Sequence, residues 1–274
     1  MGQKVYVASS LLWGTPLDEL MQTVHECGFS GVEMWAQQFF DCGYDAAEYR
    51  RLADHYKLGT TVHSVSWDLN LSSVNAAIRE TSVGQVRSSI ELCKCLGGED
   101  VTVHPGHLTL DCFREMSLGL LQDSFRQIAE FSQKKDVRVS LEVMEKIRKE
   151  FVTDAAAMKL VAGKYAEVFT YTIDVAHCDS TVEIDELVSA LPSFSKFHIS
   201  NRKGPQYHTS LDDGDFDFRW LLPRLLKTGK TLVLEGYDDS PGRLKLRHNA
   251  AYLASVIPEA MTAAAEDITG HDKE

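Results

Sequence analysis

The sequence predicts an α/β protein folded as a single (β/α)8 barrel, and three observations predict it. Eight short apolar or β-branched runs recur along the chain, their starts about 27 to 40 residues apart. That interval holds one strand, one helix and two short loops, so each connection reads as a right-handed βα crossover. The segments between the runs carry apolar residues at i, i+3 and i+4, the stripe of a helix with one buried face. Eight parallel strands close most economically on themselves, because an open sheet of that size leaves two edges. An open doubly wound sheet is the alternative, but no GxGxxG or GxxxxGK[ST] loop supports it.

Taken in order, "KVYVAS" is the first strand and "LDELMQTVHECG" the helix after it, with Gly28 as the expected C-cap. "GVEMW" and "TTVHSV" follow as the second and third strands, and Gly59 is read as the C-cap of the helix between them. "VRSSIELCKCLGG" is helical up to a cap at Gly97, and "DVTVHPG" is the fourth strand. The helix "LGLLQDSFRQIAEFSQKK" leads to "VRVSLEV", and "FTYTID", "KFHIS" and "TLVLEG" complete the eight. Trp220, in "FRWLLPRLL", is assigned to helix packing. The barrel is expected over 1–258, with 259–274 as a helical or frayed tail.

At 274 residues the chain is long enough for one large core. Asp and Glu outnumber Lys and Arg by 40 to 28, giving a formal charge of -12, which argues against a broad grip on phosphate backbones. Nucleic acid is therefore not the expected partner. No apolar run reaches the roughly eighteen residues that span a bilayer, and "MGQKVYVASSLLWG" lacks the basic region and long apolar core of a signal peptide. The expectation is a cytoplasmic protein with no membrane partner. Six cysteines, Cys27, Cys42, Cys93, Cys95, Cys112 and Cys178, have no CxxC spacing and read as reduced thiols.

In a barrel, active-site residues sit at the C-terminal ends of the strands and in the loops that follow. There the sequence places Glu33, His63, His104, Glu142, Asp174 with His177, His198 with His208 in its loop, and Glu235. One histidine in a strand is ordinarily a hydrogen-bonded core residue. Five of the ten histidines together with four carboxylates are a different matter, because crowded buried carboxylates repel unless protons or cations neutralise them. The set points to a metal centre. His25, His55, His248 and His271 fall in helical or terminal segments and carry no such reading, while His107 in "HPGH" fits either.

"TVHSVSWDLNL", "VTVHPGH", "VSLEVM", "TIDVAH", "FHISN", "YHTSLDDGDFDF" and "LVLEG" resemble the successive motifs of the xylose-isomerase-like TIM-barrel superfamily, from about residue 5 to 250. That superfamily includes sugar and sugar-phosphate isomerases and epimerases as well as the endonuclease IV family (AP endonuclease family 2). Resemblance to the tagatose and psicose epimerases implies one divalent ion (Zn, Mn, Co or Mg) on Glu142, Asp174, His198 and Glu235. Resemblance to endonuclease IV implies up to three zinc ions, adding His63 and His104 with a shared Glu142, and then His177 and His208. The Asp that would complete that last set as its third ligand, two residues before His208, is Gln206 here, a poor zinc ligand.

The resemblance carries two mechanisms. As an isomerase or epimerase of a sugar or sugar phosphate, the chain would pass a proton through a metal-bound enediolate, with Glu142 and Glu235 exchanging it and His177 on a substrate oxygen. The alternative is a zinc phosphodiesterase acting on a small molecule, such as a cobamide nucleotide loop, rather than on abasic DNA. A binding barrel that has lost turnover is a third class. "GFSGVEMW" resembles the sugar isomerases more than the nucleases, so the isomerase ranks first. Trp13, Trp35, Trp67 and Tyr237 follow strands and are expected to wall the substrate pocket, with Glu33. Arg202 or Lys203 in "NRKG" is expected to read an anionic group. A small phosphorylated or sugar substrate is the expected partner, and a homo-oligomer stays open.

Overall fold

The computed structural model describes residues 3–262. Its strands in chain order are β1 (Val5–Ala8), β2 (Gly31–Trp35), β3 (Gly59–His63), β4 (Asp100–Val103), β5 (Arg138–Val143), β6 (Phe169–Asp174), β7 (Phe194–Ile199), β8 (Asn201–Lys203), β9 (Gln206–Thr209) and β10 (Thr231–Leu234). Eight of them close into a barrel in the order β1-β10-β7-β6-β5-β4-β3-β2, and the surrounding helices make it the expected (β/α)8 architecture. The eight expected strands are these eight. The tail expected over 259–274 is described only to Thr262, in the short helix Pro258–Thr262, and its remainder, with His271, lies outside the described residues.

The chain divides into two compact units. One is built from the chain up to Met34, Gln38–Thr60 and the chain from Phe197 onward; the other comprises Trp35–Gln37 and Thr61–Lys196. In the first unit β1 pairs in parallel with β2 and β10, placing Tyr6 opposite both Gly31 and Val233. In the second, β4, β5 and β6 pair in parallel, with Thr102 opposite Ser140 and Glu142 opposite Thr172.

A strand has a period of two, so each strand offers one set of side chains to the helices and the other to the barrel interior. Val139, Leu141, Val143, Tyr171 and Ile173 form the apolar set on β5 and β6, all buried. The alternate set is polar: Ser140 Oγ lies 2.7 Å from Thr172 Oγ1 and 3.0 Å from Ser195 Oγ, and Lys196 Nζ donates to Thr102 Oγ1 at 2.9 Å while lying 3.2 Å from Asp100 Oδ1. Because the Ser140–Ser195 and Lys196–Thr102 pairs join strands that are not neighbours in the barrel, they cross the interior. Glu142, Asp174, His198 and His104 continue the same parity at the C-terminal ends. The site residues are thus the top layer of a polar interior.

The long helices end as their sequences require. Asn75 caps Ala76–Leu96 by accepting from the Ala77 amide, and Gly97 closes it at φ 78°. Gly28 likewise has positive φ just beyond Leu17–Glu26. Gly59 does not cap a helix: that helix ends at Tyr56, and Gly59 opens β3. Its missing side chain serves packing instead, since a Cβ there would lie 1.9 Å from the Tyr6 hydroxyl.

Trp220 also departs from its assignment. Phe218, Leu221, Leu222, Leu225 and Leu226 take the buried face of Phe218–Leu226, leaving Trp220 49 % exposed beneath the Arg224 guanidinium at 4.2 Å. Among the described residues no helix is long and apolar enough to cross a membrane. Gly59→Ala should cost about 1–3 kcal/mol in urea unfolding, the price of overpacking, and Tyr6→Phe should relieve part of it in the double variant.

Candidate metal centre

In the unit spanning Thr61–Lys196, His63 ends β3, His104 follows β4, and Glu142 stands one residue from the end of β5. His63 Nε2 lies 3.2 Å from His104 Nε2 and 3.7 Å from Glu142 Oε2, and His104 Nε2 lies 3.2 Å from the same oxygen. One donor atom from each of the three falls within 4.8 Å of the others. His63 Nδ1 donates to the Ser64 carbonyl at 2.9 Å, because a carbonyl can only accept. A neutral His63 therefore carries its lone pair on Nε2, facing a carboxylate and a second imidazole.

Asp174 ends β6, and His177 follows on the next turn. His177 Nδ1 donates to the Val143 carbonyl at 2.9 Å, which again leaves Nε2 turned to carboxylates, Asp174 Oδ2 at 3.5 Å and Glu145 Oε2 at 3.7 Å. Burial opposes a charge on this ring, but Asp174, Glu142 and Glu145 together hold its pKa up at about 9. Lone pairs aimed at carboxylates are a mutual repulsion that only a proton or a cation resolves. The donor chemistry of this unit, imidazole nitrogen with carboxylate oxygen, fits a divalent transition metal.

In the other unit His198, on β7, sits between two buried carboxylates, with Nε2 2.8 Å from Glu33 Oε1 and Nδ1 2.9 Å from Glu235 Oε2. Glu33, expected at the substrate, is fully buried, and its contact with His198 Nε2 is of the kind that orients a ligating ring. Glu235 follows β10 directly. His208 lies in β9 at φ 56°, its Nδ1 3.0 Å from Ser200 Oγ.

Sequence reading took 201–209 for a loop, whereas β8 and β9 form an antiparallel hairpin turning at Gly204. Gln206 is exposed on it, Lys203 Nζ pairs with Asp213 at 2.7 Å, and Arg202 lies over the Tyr207 ring at 5.3 Å.

The aromatics fall into two pairs, one in each unit. Trp35 stacks on His63 with ring centroids 4.2 Å apart and 9° between planes, and Trp67 tilts against Trp35 at 5.4 Å. Trp13 meets Tyr237 at 5.8 Å. Trp67 and Tyr237 are 44 % exposed, while Trp35 is buried.

Two carboxylates escaped the sequence reading, Glu145 and Glu150 in the loop after β5. Burial first, and then the charge of Glu145, push Glu150 up to about 7, with Lys149, His104 and His177 acting against them. The signal was available: "EVMEKIRKEF" carries two further carboxylates in a loop that follows a strand.

A family model described as xylose isomerase-like TIM barrel matches residues 21–256. The uncharacterized protein MJ1188 of Methanocaldococcus jannaschii is 24% identical over 232 residues, covering 82% of this chain and 85% of that one. Among solved structures, a D-tagatose 3-epimerase-like protein superposes with a TM-score of 0.80 at 19% identity, over 97% of this chain and 99% of its own. The apo form of the 3-keto-D-glucoside 4-epimerase YcjR from E. coli gives 0.74 at 17% identity, over 92% and 99%. At these identities the structures speak for the fold.

Two expectations follow. Glu33→Ala frees the outer nitrogen of His198, so divalent-ion affinity measured by calorimetry should fall tenfold to a hundredfold. Glu150 keeps its proton in the folded chain up to about 7, whereas the unfolded chain loses it near 4.5. Between those values the folded state binds more protons, so its contribution to stability is lost as pH rises. Glu150→Gln should match the parent at pH 4 and exceed it at pH 8 by about 1–3 kcal/mol in urea unfolding.

Proposed function

This chain belongs to the xylose isomerase-like TIM barrel family, and from that premise we propose that it is a divalent-metal-dependent isomerase or epimerase of a sugar or sugar phosphate. The observation that carries the reading is the anchoring of the histidines. His63, His177 and His198 each have one ring nitrogen fixed by a protein acceptor and the other turned toward a carboxylate. Such rings are preoriented ligands.

Glu142, Asp174, His198 and Glu235 would hold the central ion, from β5, β6, β7 and the residue after β10, four successive staves of the barrel. A divalent ion there supplies charge stabilisation for the oxygen that gains negative charge when a proton leaves the carbon beside a ketone. Glu142 removes the proton from one face of that carbon and Glu235 returns one to the other, the pairing that inverts a centre. His177, held by Val143 and flanked by Asp174, donates to a substrate oxygen. Trp13, Trp67 and Tyr237 offer flat apolar faces to the sugar ring, Trp35, expected among them, is buried against His63 and Trp67 and backs the site instead, and Arg202 borders the site from the hairpin. Sugar epimerases among the solved structures of similar fold support this reading, including an L-ribulose 3-epimerase and a D-psicose 3-epimerase.

One observation favours a second reading. His63 and His104 face Glu142 closely enough for a second ion, an arrangement that suits a zinc phosphodiesterase on a small molecule.

Elemental analysis and solvent-deuterium exchange separate the two. The epimerase should carry about one ion per chain and exchange a carbon-bound hydrogen of a ketose or its phosphate, losing at least a hundredfold in rate in Glu142→Gln and Glu235→Gln. His104→Ala should keep the ion and most of the activity. Two ions per chain, one lost with His63→Ala, together with hydrolysis of a phosphodiester and no exchange on any ketose, would overturn the epimerase reading.

A further inference from the structure

Lys245 stands in the first turn of the helix Leu244–Val256, and its side chain leaves the helix for the end of the barrel. Its Nζ donates to the His208 carbonyl at 2.6 Å. The same ammonium lies 3.2 Å from where a Cβ on Gly236 would be, and Gly236 is the residue after Glu235. Lys245 therefore occupies the space beside two residues of the candidate site.

Among the described residues this ammonium is in no ion pair. No carboxylate oxygen of the described residues comes within 4.0 Å of it. Asp238 is the carboxylate whose field it feels, but Asp238 is committed elsewhere: Oδ2 accepts the amides of Lys245 and Leu246 at 2.9 and 3.3 Å, and Oδ1 accepts that of Ser240 at 2.9 Å. Burial pulls the Lys245 pKa below the ordinary lysine value, with Asp238 acting in the other direction.

The neighbouring cations are spent. Arg243 donates to the carbonyls of Trp13 and Asp238 and to Thr15 Oγ1, and Lys203 is paired with Asp213. An ammonium has three donors, and the His208 carbonyl takes one of them.

A half-buried cation with spare donors, in a chain of net charge -12, calls for an anion from outside. Resting on the reading of this barrel end as a sugar site, we propose that Lys245 binds an anionic group of the substrate, so that the substrate is a sugar phosphate ester. Gly236 keeps this place for the ammonium, since a Cβ there would lie 3.2 Å from both Lys245 Nζ and Leu11 Cδ2, and Lys245 makes a charge-assisted bond to the phosphate. The place agrees with barrels in general, whose phosphate sites favour the loops after the last two strands.

The test compares a ketopentose with its 5-phosphate, by calorimetric binding and by the ratio of kcat/KM, in the metal-loaded protein. The parent should favour the phosphate ester at least tenfold in both. Lys245→Gln keeps an amide for the His208 carbonyl but removes the charge, and should lower both preferences at least tenfold; Lys245→Arg should retain them. Lys245→Met serves as a second neutral variant should the Gln variant not fold. Because binding is read independently of turnover, a parent that binds the ester selectively through Lys245 but epimerises neither sugar sustains this proposal and sinks the epimerase. Epimerisation with no preference for the ester, or a preference that survives Lys245→Gln, overturns the proposal alone. So does a preference erased by Arg202→Glu and untouched at Lys245, which would move the anion to the hairpin.

Discussion

Four carboxylates, Glu33, Glu142, Asp174 and Glu235, lie buried at or near the C-terminal ends of β2, β5, β6 and β10, and an ionised carboxylate taken out of water costs several kcal/mol unless charge or N–H groups compensate it. The histidines are the compensation that the fold itself provides. His63, His177 and His198 are each placed where a proton or a cation on the nitrogen that faces a carboxylate relieves it, and His177 accordingly holds its proton up to about 9. The rest of the site follows from this constraint. Backbone carbonyls of Ser64 and Val143 and the carboxylate of Glu33 fix the rings, since a histidine free to flip would turn its lone pair away.

The polar interior beneath the site answers the same electrostatic demand. Lys196, fully buried, pairs with Asp100 at 3.2 Å and donates to Thr102, so the buried charges of the lower layer are matched within it. A core of Leu and Ile in that layer would bury as much apolar area, but it would set the carboxylates of the top layer against a medium of lower dielectric. Hydroxyls at Ser140 and Thr172 keep the medium polar. The apolar alternates, facing the helices, supply the burial that holds the barrel closed.

Much of this was legible in the sequence because strand position and side-chain parity are both one-dimensional facts. Glu142 in "VSLEV" and Asp174 in "FTYTID" could be placed at strand ends by counting, and the fold put them there. What could not be counted was partnership. Glu33 has the same strand-end signature as Glu142, yet its carboxylate is taken by His198, far away in sequence. Gly59 looked like a helix cap because caps are local, while its true constraint is the Tyr6 hydroxyl. Trp220 was misplaced by hydrophobicity alone: its helix has five better-placed apolar residues, and the indole is left to Arg224. Glu150 looks like any loop carboxylate until burial is known.

These two kinds of residue divide the chemistry between strands and loops. The strands carry Glu142, Asp174 and His198, which either reaction would use, and their positions are fixed by ladder register and the polar layer below. The groups that would choose between substrates, among them Trp67, Glu145, Glu150, Arg202, Tyr237 and Lys245, stand in loops, on the hairpin or at a helix start, where exchange leaves the ladder untouched. On the proposed reading, a barrel organised this way can change its substrate without rebuilding its ion site. The proposed ligand set then speaks to the class of chemistry and says little about the molecule transformed, and the identity of that molecule has to be read from the loops, where one ammonium in no ion pair among the described residues carries more information than four carboxylate and imidazole groups at strand ends.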